Sequence, residues 1–231
     1  MLFVHETHHV VGSREDEFEA AWREGWMPAL AEGDDARLLW YCHHAHGSGP
    51  AYRVVTVTAV RDGAAWEHLA RRLADGDLRK WAATVDDLRH GAEAKVLMPV
   101  PWSPLQEVDL DAVPADGATH ELSIYMEDTG WPHRGRADDY VELAGSRYAP
   151  SLEGSGFLRM EAAFRPAFGS HRRDELVLMQ KILDPDRLTR LLTTEIRPEH
   201  RAAGTWMHDA LDVRDRWESR LLRTSAWSPL W

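Results

Sequence analysis

The tetrapeptide Trp-Ser-Pro-Leu occurs twice, at Trp102–Leu105 and, 125 residues later, at Trp227–Leu230. A repeat constrains a chain more than any composition, because both copies must find the same fold. At the same offset Trp81 meets Trp206, Arg89 meets Arg214 and Glu93 meets Glu218. The front ends align at an offset of 122: Arg14, Asp16, Phe18, Pro28 and Leu30 fall on Arg136, Asp138, Tyr140, Pro150 and Leu152. The second copy therefore carries a net insertion of three residues. We read a first repeat over 1–105, an acidic linker over 106–118 containing Pro114 and Gly117, and a second repeat over 119–231.

Each copy predicts the same element order. A strand (Leu2–Val10; Glu121–Asp128) is followed by a helix (Arg14–Ala31; Ala137–Leu152), with Ser13 as the expected N-cap. Two strands come next, Arg37–His44 and Tyr52–Val60 in one copy, Phe157–Phe164 and Glu175–Leu183 in the other. A second helical region (Ala64–Asp87; Asp186–Asp212) is expected to break near Gly76 and near Pro198. A last strand covers Glu93–Met98 and Glu218–Arg223. The order βαββαβ, twice, is the ferredoxin-like pattern. One such unit leaves a sheet face bare, so two in tandem are expected to pack sheet to sheet as one pseudo-dimeric α+β barrel, with a pocket between the sheets.

The opening Leu2-Phe3-Val4-His5-Glu6-Thr7, the helix start Asp16-x-Phe18, the run Trp26-x-Pro28-x-Leu30 and the two Trp-Ser-Pro-Leu endings resemble the NIPSNAP-like families of the dimeric α+β barrel superfamily. The resemblance spans both repeats. It implies a fold and a place for a site. Relatives include cofactor-free oxygenases, isomerases, dehydratases, haem enzymes and plain binding proteins, so it implies no single reaction.

The 231 residues carry a net charge of −11, which argues against a nucleic-acid or anionic-membrane binder. No apolar run reaches membrane-spanning length. The single Cys42 rules out an internal disulfide. A cytoplasmic protein is expected, a monomer closed by its own pseudo-dimer or a homodimer. Arg71-Arg72 and Arg172-Arg173 read as solvated basic pairs.

Strand alternation sorts the polar residues. Leu2 and Val4, with Ile124 and Met126, should face the helices; Phe3, His5, Thr7 and His9, with Tyr125 and Glu127, should face inward. Taking Leu38, Trp40 and Cys42 as the helix side of the second strand places Leu39, Tyr41 and His43 inward, against Arg159, Glu161 and Ala163. Gln180 is placed inward opposite Val57. Trp131, in the loop after the second copy's first strand, is a candidate aromatic wall. The polar residues gathered there suggest a small-molecule pocket, with Phe3, Tyr125, Arg159, Gln180 and Trp131 binding substrate.

Two chemistries suit that set. His5 with Glu127 or Glu161 forms an acid–base pair, with His43 nearby and Tyr41 or Tyr125 as proton or oxyanion donor. Alternatively His5, His9, His43 and Glu127 bind a divalent transition metal; haem is a further cofactor to consider. Residue by residue, the simpler reading is a hydrogen-bonded lining of a wet cavity. The chain reads as an enzyme of secondary metabolism acting on an organic substrate, the competing reading being a non-catalytic binding or assembly protein.

Overall fold

The computed structural model describes residues 1–170 and 173–231. Arg172 of the second basic pair lies outside the described residues. The protein is α+β, with eight strands in one antiparallel sheet contributed by two βαββαβ repeats. The first repeat contains β1 (Leu2–Val10), α1 (Glu15–Ala20), a π-helical turn (Ala21–Trp26) and α2 (Met27–Ala31). β2 (Ala36–His44), β3 (Arg53–Val60), α3 (Gly63–Ala74), α4 (Arg79–Asp87) and β4 (Arg89–Pro99) follow. In the second repeat β5 (Ile124–Pro132) leads to α5 (Ala137–Leu143), a second π-helical turn (Ala144–Tyr148) and α6 (Ala149–Leu152). It ends with β6 (Leu158–Pro166), β7 (Leu176–Ile182), α7 (Pro185–Thr193), α8 (Trp206–Asp209) and β8 (Arg214–Thr224).

Local chemistry repeats with the topology. Asp62 caps α3 by accepting the Ala65 N–H at 2.8 Å, and Asp184, 122 residues on, caps α7 through the Arg187 N–H at 3.0 Å. Such a cap is worth about 1 kcal/mol. Pro28 and Pro150 lie just past the π-helical turns. Proline supplies no N–H to the preceding turn, so the upstream hydrogen bonds rearrange to the wider pattern. Ser13 does not cap; it sits in a 3₁₀ turn over Gly12–Arg14, and α1 begins after Arg14 without a side-chain cap.

Packing and repetition divide the chain differently. One compact unit comprises Met1–Met98, Glu107–Ile124 and Leu221–Trp231; the other comprises Pro99–Gln106 and Tyr125–Arg220. Each Trp-Ser-Pro-Leu tail belongs to the unit built on the other repeat's helices. Trp227 is buried with Phe18, Trp22, Leu38 and Tyr41, while Trp102 packs against the core of Tyr140, Ala144 and Ala163.

The tails pair with the bulged strands. β2 has a bulge between Leu38 and Trp40, and β6 has one between Met160 and Ala162. Each tail runs along the other edge of its strand, where Leu230 and Ser225 N–H donate to Leu39 O and Tyr41 O, and Val100 N–H to Ala163 O. Ser228 Oγ accepts the Tyr41 N–H at 3.0 Å, and Ser103 Oγ accepts the Ala163 N–H at 2.9 Å. Each hydroxyl then donates to the carbonyl two residues on, Leu230 at 2.8 Å and Leu105 at 3.1 Å. The serine of the repeated tetrapeptide is thus the partner of the bulged strand.

Candidate functional site

The bulges also decide which side chains face the helices. In β1, Leu2 and Val4 pack against the cluster of Leu30, Ala65 and Leu69, and His8 against Phe18 and Trp22. Phe3, His5, Thr7 and His9 stand on the opposite face, as alternation requires. In β2 the extra residue shifts the alternation, so Leu38 and Tyr41 share the helix side. Tyr41 and His43, expected inward, therefore face the helices. Gln180 is likewise on the helix side. β3 and β7 hold the offset of 122, pairing Leu38 with Thr58 and Met160 with Gln180. Matching Gln180 to Val57 is a slip of one residue, which exchanges faces.

Glu161 sits in the β6 bulge and pairs with the exposed Arg159 at 2.5 Å. Glu127 is buried and lies 3.7 Å from Arg220, while His9 pairs with Glu93 at 3.6 Å. His5, Phe3 and Tyr125 are buried in their strands. Trp131 belongs to β5 instead of a loop, with the Arg216 guanidinium 4.6 Å above its ring. The metal set of His5, His9, His43 and Glu127 is not brought together, because His43 is on the other face of its sheet. Among the described residues no group of three His, Cys, Asp or Glu side chains is placed to hold a metal ion.

Two clusters on the helix side of the sheet carry the polar chemistry. In the first unit, His8 is fully buried beneath the π-helical turn. Arg89 Nη1 lies 2.6 Å from His8 Nδ1, and Thr56 Oγ1 lies 3.0 Å from His8 Nε2. Arginine can only donate, so Nδ1 is the acceptor and Nε2–H donates to Thr56. Burial, and then the Arg89 charge, hold the His8 imidazole well below its ordinary range. Two positions away on the same face, burial raises the Glu6 carboxyl, with Arg89 opposing and Asp86 adding to the rise. Trp22 Nε1, Trp26 Nε1 and Tyr41 OH are buried there without a hydrogen-bond partner. Burial, and then the Glu19 and Glu15 charges, push the Tyr41 phenol well up, so it is a donor, not a phenolate.

Beside this cluster the tail is clasped. His43 has Glu15 Oε1 3.2 Å from Nδ1, and Glu19 Oε2 and Ser225 Oγ each 3.1 Å from Nε2. Ser225 and the Trp227 indole both donate to Glu19 Oε1, at 2.8 and 2.6 Å. Burial pushes Glu19 upward, but the bonds from His43, Trp227 and Ser225 outweigh it and hold the carboxyl down at about 2.

In the second unit the counterpart of His8 is Gly130. A Cβ there would lie 2.1 Å from the Tyr140 hydroxyl, so only glycine lets Tyr140 approach. Tyr148 donates to Gln180 Oε1 at 2.5 Å, and Gln180 Nε2 donates to Asp128 Oδ2 at 2.9 Å. Asp128 is raised by burial, against hydrogen bonds from Ser219, Gln180 and Trp217 that pull the other way. Trp206 stacks on Tyr140 and Tyr148, with Arg214 over its ring. Glu6 and Asp128 occupy the same position in the two repeats. Their shared placement under a π-helical turn was readable only after the sheet faces were known.

No family model matches the chain, and no curated protein matches it. Solved structures do. An anthrone oxidase-like protein aligns with a TM-score of 0.65 at 8% identity, over 97% of this chain and 91% of its own. A putative monooxygenase from Lactobacillus acidophilus aligns with a TM-score of 0.58 at 11% identity, over 99% of this chain and 96% of its own. A NIPSNAP domain protein from Burkholderia xenovorans, 21% identical, aligns all but 1% of its length to 45% of this chain, with a TM-score of 0.37. No helix among the described residues is long and apolar enough to cross a membrane. By architecture and by its full-length structural likenesses, the chain has the fold of the dimeric α+β barrel superfamily.

Proposed function

We propose that the first unit is the active centre of a small-molecule enzyme that moves a proton on an oxygen-bearing, largely aromatic organic substrate. The observation that carries this reading is a buried surplus of donors around His8, with a raised carboxyl two residues along the same strand face. Trp22, Trp26 and Tyr41 hold three buried donor atoms with nothing among the described residues to accept them, in the core on which His8 packs. A buried donor left unmade costs about 1–3 kcal/mol, and a substrate carbonyl or phenol oxygen would relieve it.

The roles divide by hydrogen bonding. Both His8 nitrogens are occupied, so His8 is a positioning residue that fixes Arg89. Glu6, without such a bond and with its carboxyl raised, is the general base or acid. It is only partly buried, at the end of the cluster where Asp86 reaches solvent. Arg89 is placed to stabilise charge developing on the substrate oxygen. The His/Glu chemistry expected on the inward face is thus assigned to Glu6 and His8 on the helix face. The described likeness of one fold neighbour to an anthrone oxidase is in keeping with an aromatic carbonyl substrate.

The test is proton exchange. A panel of 1,3-diketones, phenols and hydroxyquinones in D₂O is followed by NMR, with tryptophan fluorescence reporting binding. Wild type should speed exchange of an acidic C–H, and Glu6→Gln should lose 10²-fold or more of that rate while still binding. Exchange unchanged in Glu6→Gln overturns the assignment. Binding without exchange in wild type favours the non-catalytic ligand-binding alternative.

A further inference from the structure

The two repeats surround the same carboxyl position with different neighbours. Glu6 stands opposite Ala94 in the β1–β4 register, His8 opposite Ala92 and Val10 opposite Arg89. Residues directly opposite one another share a sheet face, so Ala92 and Ala94 flank His8 and Glu6 on the helix side. The offset of 125 that relates the last strands puts Arg214 at the place of Arg89, Trp217 at that of Ala92 and Ser219 at that of Ala94. The offset of 122 puts Asp128 and Gly130 at the places of Glu6 and His8. The second unit fills this position with its own side chains. The Trp217 indole N–H and the Ser219 hydroxyl donate to Asp128. Arg214 lies 5.7 Å from the centre of the Trp217 ring and bonds to the Tyr140 hydroxyl, which enters against Gly130 where the first unit has the His8 imidazole. Trp217 is 49% exposed, so its ring is a surface cover over a buried acid.

In the first unit the same two places hold alanines. Ala92 and Ala94 are both exposed, and a methyl group offers Glu6 neither a ring nor a donor. We infer that Ala92 and Ala94 floor a substrate subsite beside Glu6 that takes a flat bicyclic ring bearing an N–H or O–H on its edge, the group that Trp217 supplies from within the chain in the other repeat. The inference rests on Glu6 as the reactive carboxyl. The donor on the ring edge meets Glu6 as the indole N–H meets Asp128. The ring face lies by Arg89 as Trp217 lies by Arg214, an attraction between a guanidinium and a π face. An O–H or N–H held on Glu6 is also the proton that a general base removes. Ala92 is then the residue that sets specificity, because its small side chain leaves the width of an indole free. The second unit is the same site closed by its own tryptophan.

Fluorine NMR titration with 5-fluoroindole and its N-methyl derivative reads the subsite by binding alone. Wild type should bind one equivalent of 5-fluoroindole, and N-methylation should weaken it about 10-fold or more, the loss of a hydrogen bond to a carboxylate. Ala92→Trp, whose indole takes the place of the ligand, should weaken 5-fluoroindole at least as much, while Ala92→Ser, which leaves the space open, should keep its affinity. Trp217→Ala should open the second position and raise the count from one equivalent to two. Melting curves identify a variant that fails to fold, and Ala92→Met then tests the same occupancy with a flexible side chain. Binding that depends on Ala92, in a wild type that exchanges no proton, keeps the subsite and removes only the chemistry assigned to Glu6. Binding indifferent to the bulky Ala92 variants, equal binding of the N-methyl compound, one equivalent still in Trp217→Ala, or no binding at all overturns the inference.

Discussion

The two tails do the same job with different chemistry. Trp227 and Trp102 each cover the core of a unit, and Ser228 and Ser103 each complete a bulged strand. In the first unit the indole donates to the Glu19 carboxylate, and His43, Glu15 and Ser225 surround that bond. The counterparts of Glu15, Glu19, His43 and Ser225 are Ala137, Val141, Arg165 and Val100. There the Trp102 indole donates to the Val141 backbone carbonyl at 2.9 Å. Serine and tryptophan are therefore what the architecture demands, because both copies keep them. The ionic clasp is an addition of one copy. It accompanies the unit whose interior holds Glu6, His8 and Arg89.

The comparison can be broken most forcefully at the tryptophans. Trp227 is 3% exposed, so Trp227→Ala should cost about 3–5 kcal/mol in chemical denaturation. Trp102 is only partly buried, so Trp102→Ala should cost clearly less. Equal losses would mean that the clasp and the deeper burial contribute nothing. Next in size is the serine pair. Ser228→Ala and Ser103→Ala each strand a buried N–H, and each should lose about 1–3 kcal/mol. Here the expectation is equality, and a loss in only one variant would sink the shared role of the tetrapeptide.

The smallest effect sharpens the difference. Glu19 is depressed when folded, to about 2 from an ordinary value of 4.5. A depressed carboxylate stabilises above its unfolded value, and that contribution fades as pH falls through 4.5 towards 2. Glu19→Gln should therefore be less stable than wild type near neutrality, by about 1 kcal/mol for a group still partly solvated. The gap should close in acid. A gap that persists at pH 2 would show that packing, not ionisation, holds the tail.

Much of the fold was legible because the repeat tied uncertain segments to clear ones. Breaks near Gly76 and Pro198, the paired helices and the strand order all follow from two aligned copies. The facing of β1 and β5 was legible too, from plain alternation. The facing of β2 and β6 was not. A bulge adds one residue without changing composition, and nothing in Leu38-Leu39-Trp40-Tyr41 marks where it falls. That single insertion moved Tyr41 and His43 from the predicted pocket to the helix side. Glu6 and His8 share the face of Leu2 and Val4, but a helix-facing strand position reads as core, and the partners of His8, Arg89 and Thr56, lie 81 and 48 residues away. The ionic clasp joins residues more than 180 positions apart, a separation no local pattern spans.

The exchanged tails also set an order of events during synthesis. β2 emerges early, but the hydroxyl that completes its bulge and the indole that closes its core come from residues 225–230. The ribosome makes the whole second repeat before it delivers them. Until then the first unit has an unsealed aromatic interior and an incomplete strand, the kind of surface that draws chaperones or premature partners. The second unit has the opposite schedule: its tail, Pro99–Gln106, is made before the helices it will meet. The second unit thus has its tail in hand when its helices appear, whereas the helices of the first unit wait for theirs.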